Sequence, residues 1–218
     1  MPNWCENDLE ISGGGGVLAC LEAIKGEPEQ DPPQDEKNPS PIDFNKIVPM
    51  PKSLDITSGG NGDMGYAAWH GTDEELAKYL GYPWAVKDGL TTREKFQAWL
   101  LEKRPDVKPL GDQYAQNLAE HGAKTWYEWR VTHWGTKWPA RRAHLDGGEV
   151  ADDRTCLHFD TAWSPPKPVI LALGKKFPAL RFEMRYFECG VGYNGLYVVE
   201  DGEEARDESG DYFGDRGG

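Results

Sequence analysis

No apolar run in this chain is long enough to span a bilayer, and no basic-then-apolar leader segment stands near its start. The expectation is a cytoplasmic protein that does not engage a membrane. Cations are scarce as well: 24 Lys and Arg stand against 37 Asp and Glu, a formal net charge of −13. Direct nucleic-acid binding needs cations clustered on phosphates, so the charge argues against that class of function. Paired cysteine spacing is missing. Cys5, Cys20, Cys156 and Cys189 lie far apart, so they read as free thiols of a reducing compartment. Two disulfides would suit the even count, but no secretory feature supports them. The histidines (His70, His121, His133, His144 and His158) show no ligand-pair spacing. Neither a metal site nor a cofactor is therefore expected, and Asp152 and Asp153 read as solvated acids. The run Gly13–Gly16 is followed by no Gly-Lys-Ser/Thr, which leaves a turn as its reading and not a phosphate cradle.

Aromatic side chains are what the chain does have. Four of its 9 tryptophans, Trp126, Trp129, Trp134 and Trp138, fall within residues 125–140. Alternation over 126–133 puts aromatics on both faces of a half-buried strand, which Gly135 ends. Residues 159–168, with Trp163, Ser164 and three prolines, read as the partner segment. Trp134, Lys137, Trp138, Trp163 and Ser164 are the expected ligand- or partner-binding residues, with Trp134, Lys137 and Trp163 meeting at a sheet rim. The competing reading is a rigid loop pinned by its rings, and it weighs more, because large rings mostly pack.

Read in order, residues 3–11 form a strand with Cys5, Asn7, Leu9 and Ile11 on one face. A short helix with Val17, Leu18, Leu21 and Ile24 on its stripe stops at Gly26. Residues 27–41 are a proline-rich loop, 42–48 a second strand, and 58–65 a glycine-rich turn. Three helices follow: Thr72 with Glu75 and Thr91 with Glu94 have capping-box spacing, and Pro109 opens the third, which Gly122 closes. Residues 66–122 thus read as a helical insertion. A loop over 139–154 leads to a strand over 155–161. The next helix carries Val169, Ile170, Leu173 and Phe177, with Ser164 as an N-cap candidate. Leu180, Phe182, Met184 and Tyr186 alternate as a strand, predicted to be central with Phe182 against that helix, and Asn194-Gly195 signals a hairpin turn. This order gives an α+β class: a ferredoxin-like split βαβ antiparallel sheet with a helical insertion, as one domain over 1–204. Residues 205–218 read as a flexible acidic tail that could be trimmed at little cost.

The blocks Met1-Pro2-Asn3-Trp4-Cys5-Glu6-Asn7, Trp134-Gly135-Thr136-Lys137-Trp138 and Thr161-Ala162-Trp163-Ser164-Pro165-Pro166 resemble the YubB-like family. These are uncharacterised proteins of plasmids, phages and integrative elements. The resemblance implies a ferredoxin-like C-terminal region, in which "ferredoxin" names a topology and no iron–sulfur cluster. It supplies no activity and no catalytic residue.

Cys156, His158 and Asp160 share one strand face and could in principle serve as nucleophile, base and orienter. Same-face neighbours lie roughly 6.5–7 Å apart along a strand, so a polar solvent face is the better reading and no catalytic residue is assigned. Two functions remain. The first is a mobile-element accessory protein that binds a host protein, in one version as an acidic inhibitor. The alternative is a small-ligand or nucleotide-processing enzyme whose pocket is lined by Trp134, Lys137 and Trp163. The sequence does not set the oligomeric state.

Overall fold

The computed structural model describes residues 3–26, 40–146 and 151–211. Most of the proline-rich segment and the end of the acidic stretch lie outside these residues. In chain order the elements are β1 (Trp4–Gly13), α1 (Val17–Ile24), α2 (Phe44–Ile47), α3 (Gly60–Trp69), α4 (Asp73–Leu80), α5 (Pro83–Lys87), α6 (Arg93–Lys103), α7 (Val107–His121) and α8 (Trp126–His133). They continue as β2 (Arg141–Leu145), β3 (Arg154–Ala162), α9 (Lys167–Lys176), β4 (Leu180–Glu188), β5 (Tyr193–Glu200) and β6 (Glu203–Asp211). The chain divides into two compact units, Met1–Pro49 with Arg130–Gly218, and Met50–Trp129.

The first unit is a six-stranded sheet in the order β2-β3-β1-β4-β5-β6, antiparallel at every pairing. β3, α9 and β4 make a split βαβ unit, and β1 fills the gap between its strands. The first four strands therefore have the ferredoxin-like order, to which β5 and β6 add an edge by hairpins. Period-two alternation sets the register: Cys5, Asn7, Leu9 and Ile11 are all buried, while Glu6, Asp8 and Glu10 face the other way. Buried Asn7 meets its polar needs on β3, with its amide 2.9 Å from Thr161 Oγ1 and 3.2 Å from the Phe159 carbonyl. β4 is central, with Phe182 fully buried. α9 crosses β4 and β5 so closely that a Cβ at Gly174 would stand 2.2 Å from Val199 Cγ1.

Several elements differ from the sequence expectation. Residues 126–133 form helix α8 and not a strand. Thr125 and Glu128 cap it: Thr125 donates its N–H and hydroxyl to the Glu128 carboxylate, and accepts the Tyr127 N–H. Residues 42–48 hold α2, capped by Asp43, which accepts the Asn45 N–H at 2.8 Å. The loop over 139–154 contains β2. Asn194 and Gly195 lie inside β5, where a Cβ at 195 would stand 2.2 Å from the Tyr186 hydroxyl; the β4–β5 turn comes earlier, with Gly192 at φ 86°. Residues 205–211 are no loose tail. They belong to β6, whose side chains are all exposed and whose backbone pairs along β5. Pairing by main-chain hydrogen bonds leaves no hydrophobic trace in the sequence.

The glycine turn before α1 is tied down from outside. Asp152 Oδ1 accepts the N–H groups of Gly16 and Leu18 at 3.1 and 3.2 Å, so a carboxylate of this chain occupies the anion position at the helix N-terminus. Asp152→Ala is expected to cost about 1 kcal/mol, as loss of a helix cap does. Urea denaturation checks it, and an unchanged midpoint would remove the capping role.

The second unit is helical and larger than residues 66–122, because α3 begins at Gly60 within the expected turn. Met64, Ala68, Leu76, Phe96, Leu100 and Val107 form its core. The Thr72–Glu75 capping box is formed, whereas α6 is capped one residue later than expected, by Thr92. Arg93 donates to the carbonyls of Ala67, Ala68 and Gly71 at 2.8–3.1 Å, satisfying the end of α3.

Candidate functional site

Two places in the sheet unit gather chemistry-bearing side chains. The first is the rim where the segment after α8 meets the end of β3. Thr136 donates its hydroxyl to the Ala162 carbonyl at 2.9 Å, and Ser164 donates to the Gly135 carbonyl at 2.5 Å. Gly135 must be glycine. Its φ is 77°, and a Cβ would stand 2.8 Å from Pro168 Cδ. These bonds hold Lys137 so that its ammonium lies 4.2 Å from the Trp138 ring centroid and 3.8 Å from that of Trp163. Trp4 extends the stack, 5.9 Å from Trp138.

Trp163 is 44% exposed at this rim, and its φ is 70°. The left-handed region is costly for a bulky residue, and the surrounding bonds hold it there. Its N–H donates to the Asn3 carbonyl at 3.0 Å, and its carbonyl accepts the Tyr193 hydroxyl at 2.7 Å. Thr161 Oγ1 donates to the Ser164 carbonyl at 2.8 Å. Ser164 does not cap α9, because Pro166 occupies the cap position and the serine hydroxyl is spent on Gly135. Gly135 and Ser164 also form one wall of a hollow of about 550 Å³, closed by Lys167, Tyr186, Tyr193 and the end of β6.

Of the expected binding residues, Lys137, Trp138, Trp163 and Ser164 come together, and Trp134 does not join them. The Trp134 ring is fully buried, edge-on to Phe44 at 5.6 Å, and its N–H donates to the Val48 carbonyl. It is therefore part of the core and not of the exposed rim where Lys137 meets Trp163.

The second place is the sheet face opposite α1 and α9. The pairing registers align His144, His158, Asp8 and Arg185 across four strands, with Asp160 beside Glu6 and Cys156 beside Glu10. His158 is bound at both nitrogens: Nδ1 lies 2.7 Å from Asp8 and Nε2 3.0 Å from Asp146. Burial works against its positive charge, but the bonds to Asp8 and Asp146 outweigh burial and raise its pKa. Asp160 pairs instead with Arg142; burial raises its pKa, and Arg142 opposes the shift. Burial pushes the Cys156 thiol up to about 11, helped by Asp8, Asp146 and Glu10. The thiol, imidazole and carboxylate of β3 thus do not assemble as a triad, since the imidazole is committed to Asp8 on β1 and to Asp146 just after β2. His144 stacks on His158 with centroids 5.1 Å apart, and the groove here holds about 490 Å³. Sequence spacing missed this cluster because its members come from four strands and from Asp146, just past the end of β2.

Comparison with known proteins adds a fold description. Residues 133–215 match the model of a family described as "Ferredoxin-like domain in Api92-like protein". That segment holds β2 through β6. The name that matches is Api92-like, not YubB-like. No curated protein matches the chain. A solved structure titled as protein api92 from Yersinia pseudotuberculosis is similar at 15% identity and a TM-score of 0.45, over 99% of each chain. Among the described residues no helix is long and apolar enough to cross a membrane.

Proposed function

We propose that this chain is an accessory binding protein whose working surface is the sheet rim of Lys137, Trp138, Trp163 and Ser164, and whose partner is another protein. The observation that carries the reading is Trp163, a large ring left exposed on a backbone held in the left-handed region by hydrogen bonds on both sides. A packing role would not require exposure, and strain held in place by its surroundings is a common feature of binding sites. Tryptophan is also enriched among the residues that dominate interface energetics. In the setting implied by the YubB-like blocks, the partner is a host protein. The net charge of −13 favours one with a basic face, which the chain would bind as an acidic inhibitor. The enzyme alternative loses its pocket with Trp134 in the core.

Trp163→Asn tests this, because asparagine tolerates the left-handed region better than tryptophan. Relief of strain and loss of the cation–π contact act in opposite directions, so stability should change by no more than about 1 kcal/mol. Immobilised wild type and variant are compared for proteins retained from host lysate, alongside their melting curves. The expected result is unchanged melting with loss of the retained partner. An identical retained set for both proteins would remove the rim as the binding surface.

A further inference from the structure

On the sheet face opposite α1 and α9, Cys156 Sγ, a ring nitrogen of His158 and a carboxylate oxygen of Asp146 lie within 4.8 Å of one another. We propose that these three side chains form a binding site for a divalent cation of zinc type, a site independent of the aromatic rim. Zinc bonds of roughly 2.0–2.3 Å place tetrahedral donor atoms about 3.3–3.6 Å apart, so small side-chain rotations close the set. Asp146 and His158 already stand 3.0 Å apart.

The donor set is what selects the metal. A thiolate, an imidazole and a carboxylate together suit a borderline-soft ion, whereas magnesium and calcium take oxygen ligands. The second contact of His158 supports the same assignment. With Nε2 toward Asp146, its Nδ1 sits 2.7 Å from Asp8, the carboxylate–histidine arrangement that fixes a ligating ring and raises its basicity. Glu10, opposite Cys156 in the β1–β3 register, is neutralised by Arg154 at 2.6 Å, which leaves Asp8 and Asp146 as the negative charge that faces the site. On binding, the thiol gives up its proton to solvent and ligates as the thiolate, while the ring ligates in its neutral form. Three protein ligands are also the number found where zinc keeps a fourth position for water or an outside ligand. The groove of about 490 Å³ lined by Glu6, Arg142 and His144 is where such a ligand would sit.

The test titrates the purified full chain with cobalt(II), then displaces it with zinc. The expected result is one cobalt per chain with a thiolate charge-transfer band. The band should vanish in Cys156→Ser and persist in Cys189→Ser, the exposed thiol serving as control. Asp8→Asn should weaken binding roughly 10–100-fold, as loss of an orienting partner does. Asp146→Ala, at an exposed position that leaves the strands intact, should also weaken it, and melting curves confirm that each variant is folded. No band in the wild type overturns the site. So does a band that survives Cys156→Ser, or one unaffected by Asp146→Ala.

Discussion

Trp134→Ala should destabilise the sheet unit by about 3–5 kcal/mol, the range for removing a large buried ring. Three interactions are lost together. The ring packs edge-on to Phe44, with centroids 5.6 Å apart and planes at 74°. The Arg130 guanidinium lies over its face, 4.7 Å from the centroid. Its Nε1–H donates to the Val48 carbonyl at 2.9 Å, so alanine also removes that carbonyl's indole donor. Trp134→Phe keeps most of the volume and loses the hydrogen bond, so it should cost less, about 1–2 kcal/mol. Lys137→Ala, three residues on, removes a contact at the rim and should cost roughly 1 kcal/mol. Urea denaturation of the three variants gives the order. If Trp134→Ala cost no more than Lys137→Ala, the division between core tryptophan and rim lysine would be wrong.

The rings show what the sequence could reveal. That residues 134–138 and 161–164 would meet was legible, because both leave elements toward one sheet end and carry matching aromatic and small polar residues. Which ring would face the core was not, since alternation assumed a strand through 126–133. The helix signal was present: Thr125-x-x-Glu128 has capping-box spacing, and Trp126, Trp129, Arg130 and His133 recur at helical intervals. With the helix in place, Trp134 turns inward. Leu180–Tyr186 was readable because one face is buried and the other charged, which leaves a clean period of two. β6 was unreadable for the opposite reason, as every side chain in Glu203–Asp211 is exposed. The Asp146–Cys156–His158 cluster depends on register between strands, information that no single stretch of sequence contains.

Gly111→Ala should destabilise the helical unit although alanine is the better helix former. Propensity alone favours the substitution by about 1 kcal/mol in a helix interior. Packing decides against it. A Cβ at Gly111 on α7 would stand 2.3 Å from the Gly65 carbonyl carbon and 2.6 Å from the Tyr66 nitrogen, both backbone atoms of α3. A Cβ at Gly65 would in turn meet the Val107 carbonyl oxygen at 2.2 Å. No side chain can swing aside, so the two helices must separate, which disturbs the Gly62 contact with Tyr114 and the Tyr114 hydrogen bond to the Thr57 carbonyl. Overpacking of this kind typically costs about 1–3 kcal/mol, and rigid backbone on both sides argues for the upper end, a net loss of about 2 kcal/mol after the propensity gain. Gly60→Ala is the control, at the first turn of α3 with nothing within 4 Å of its Cβ; it should be neutral or stabilising by up to about 1 kcal/mol. Gly65→Ala and Gly111→Ala share one contact, so the double variant should lose less than the sum of the single losses. Far-UV circular dichroism during urea unfolding measures all four. A Gly111→Ala variant as stable as Gly60→Ala would show that α3 and α7 do not cross at these glycines.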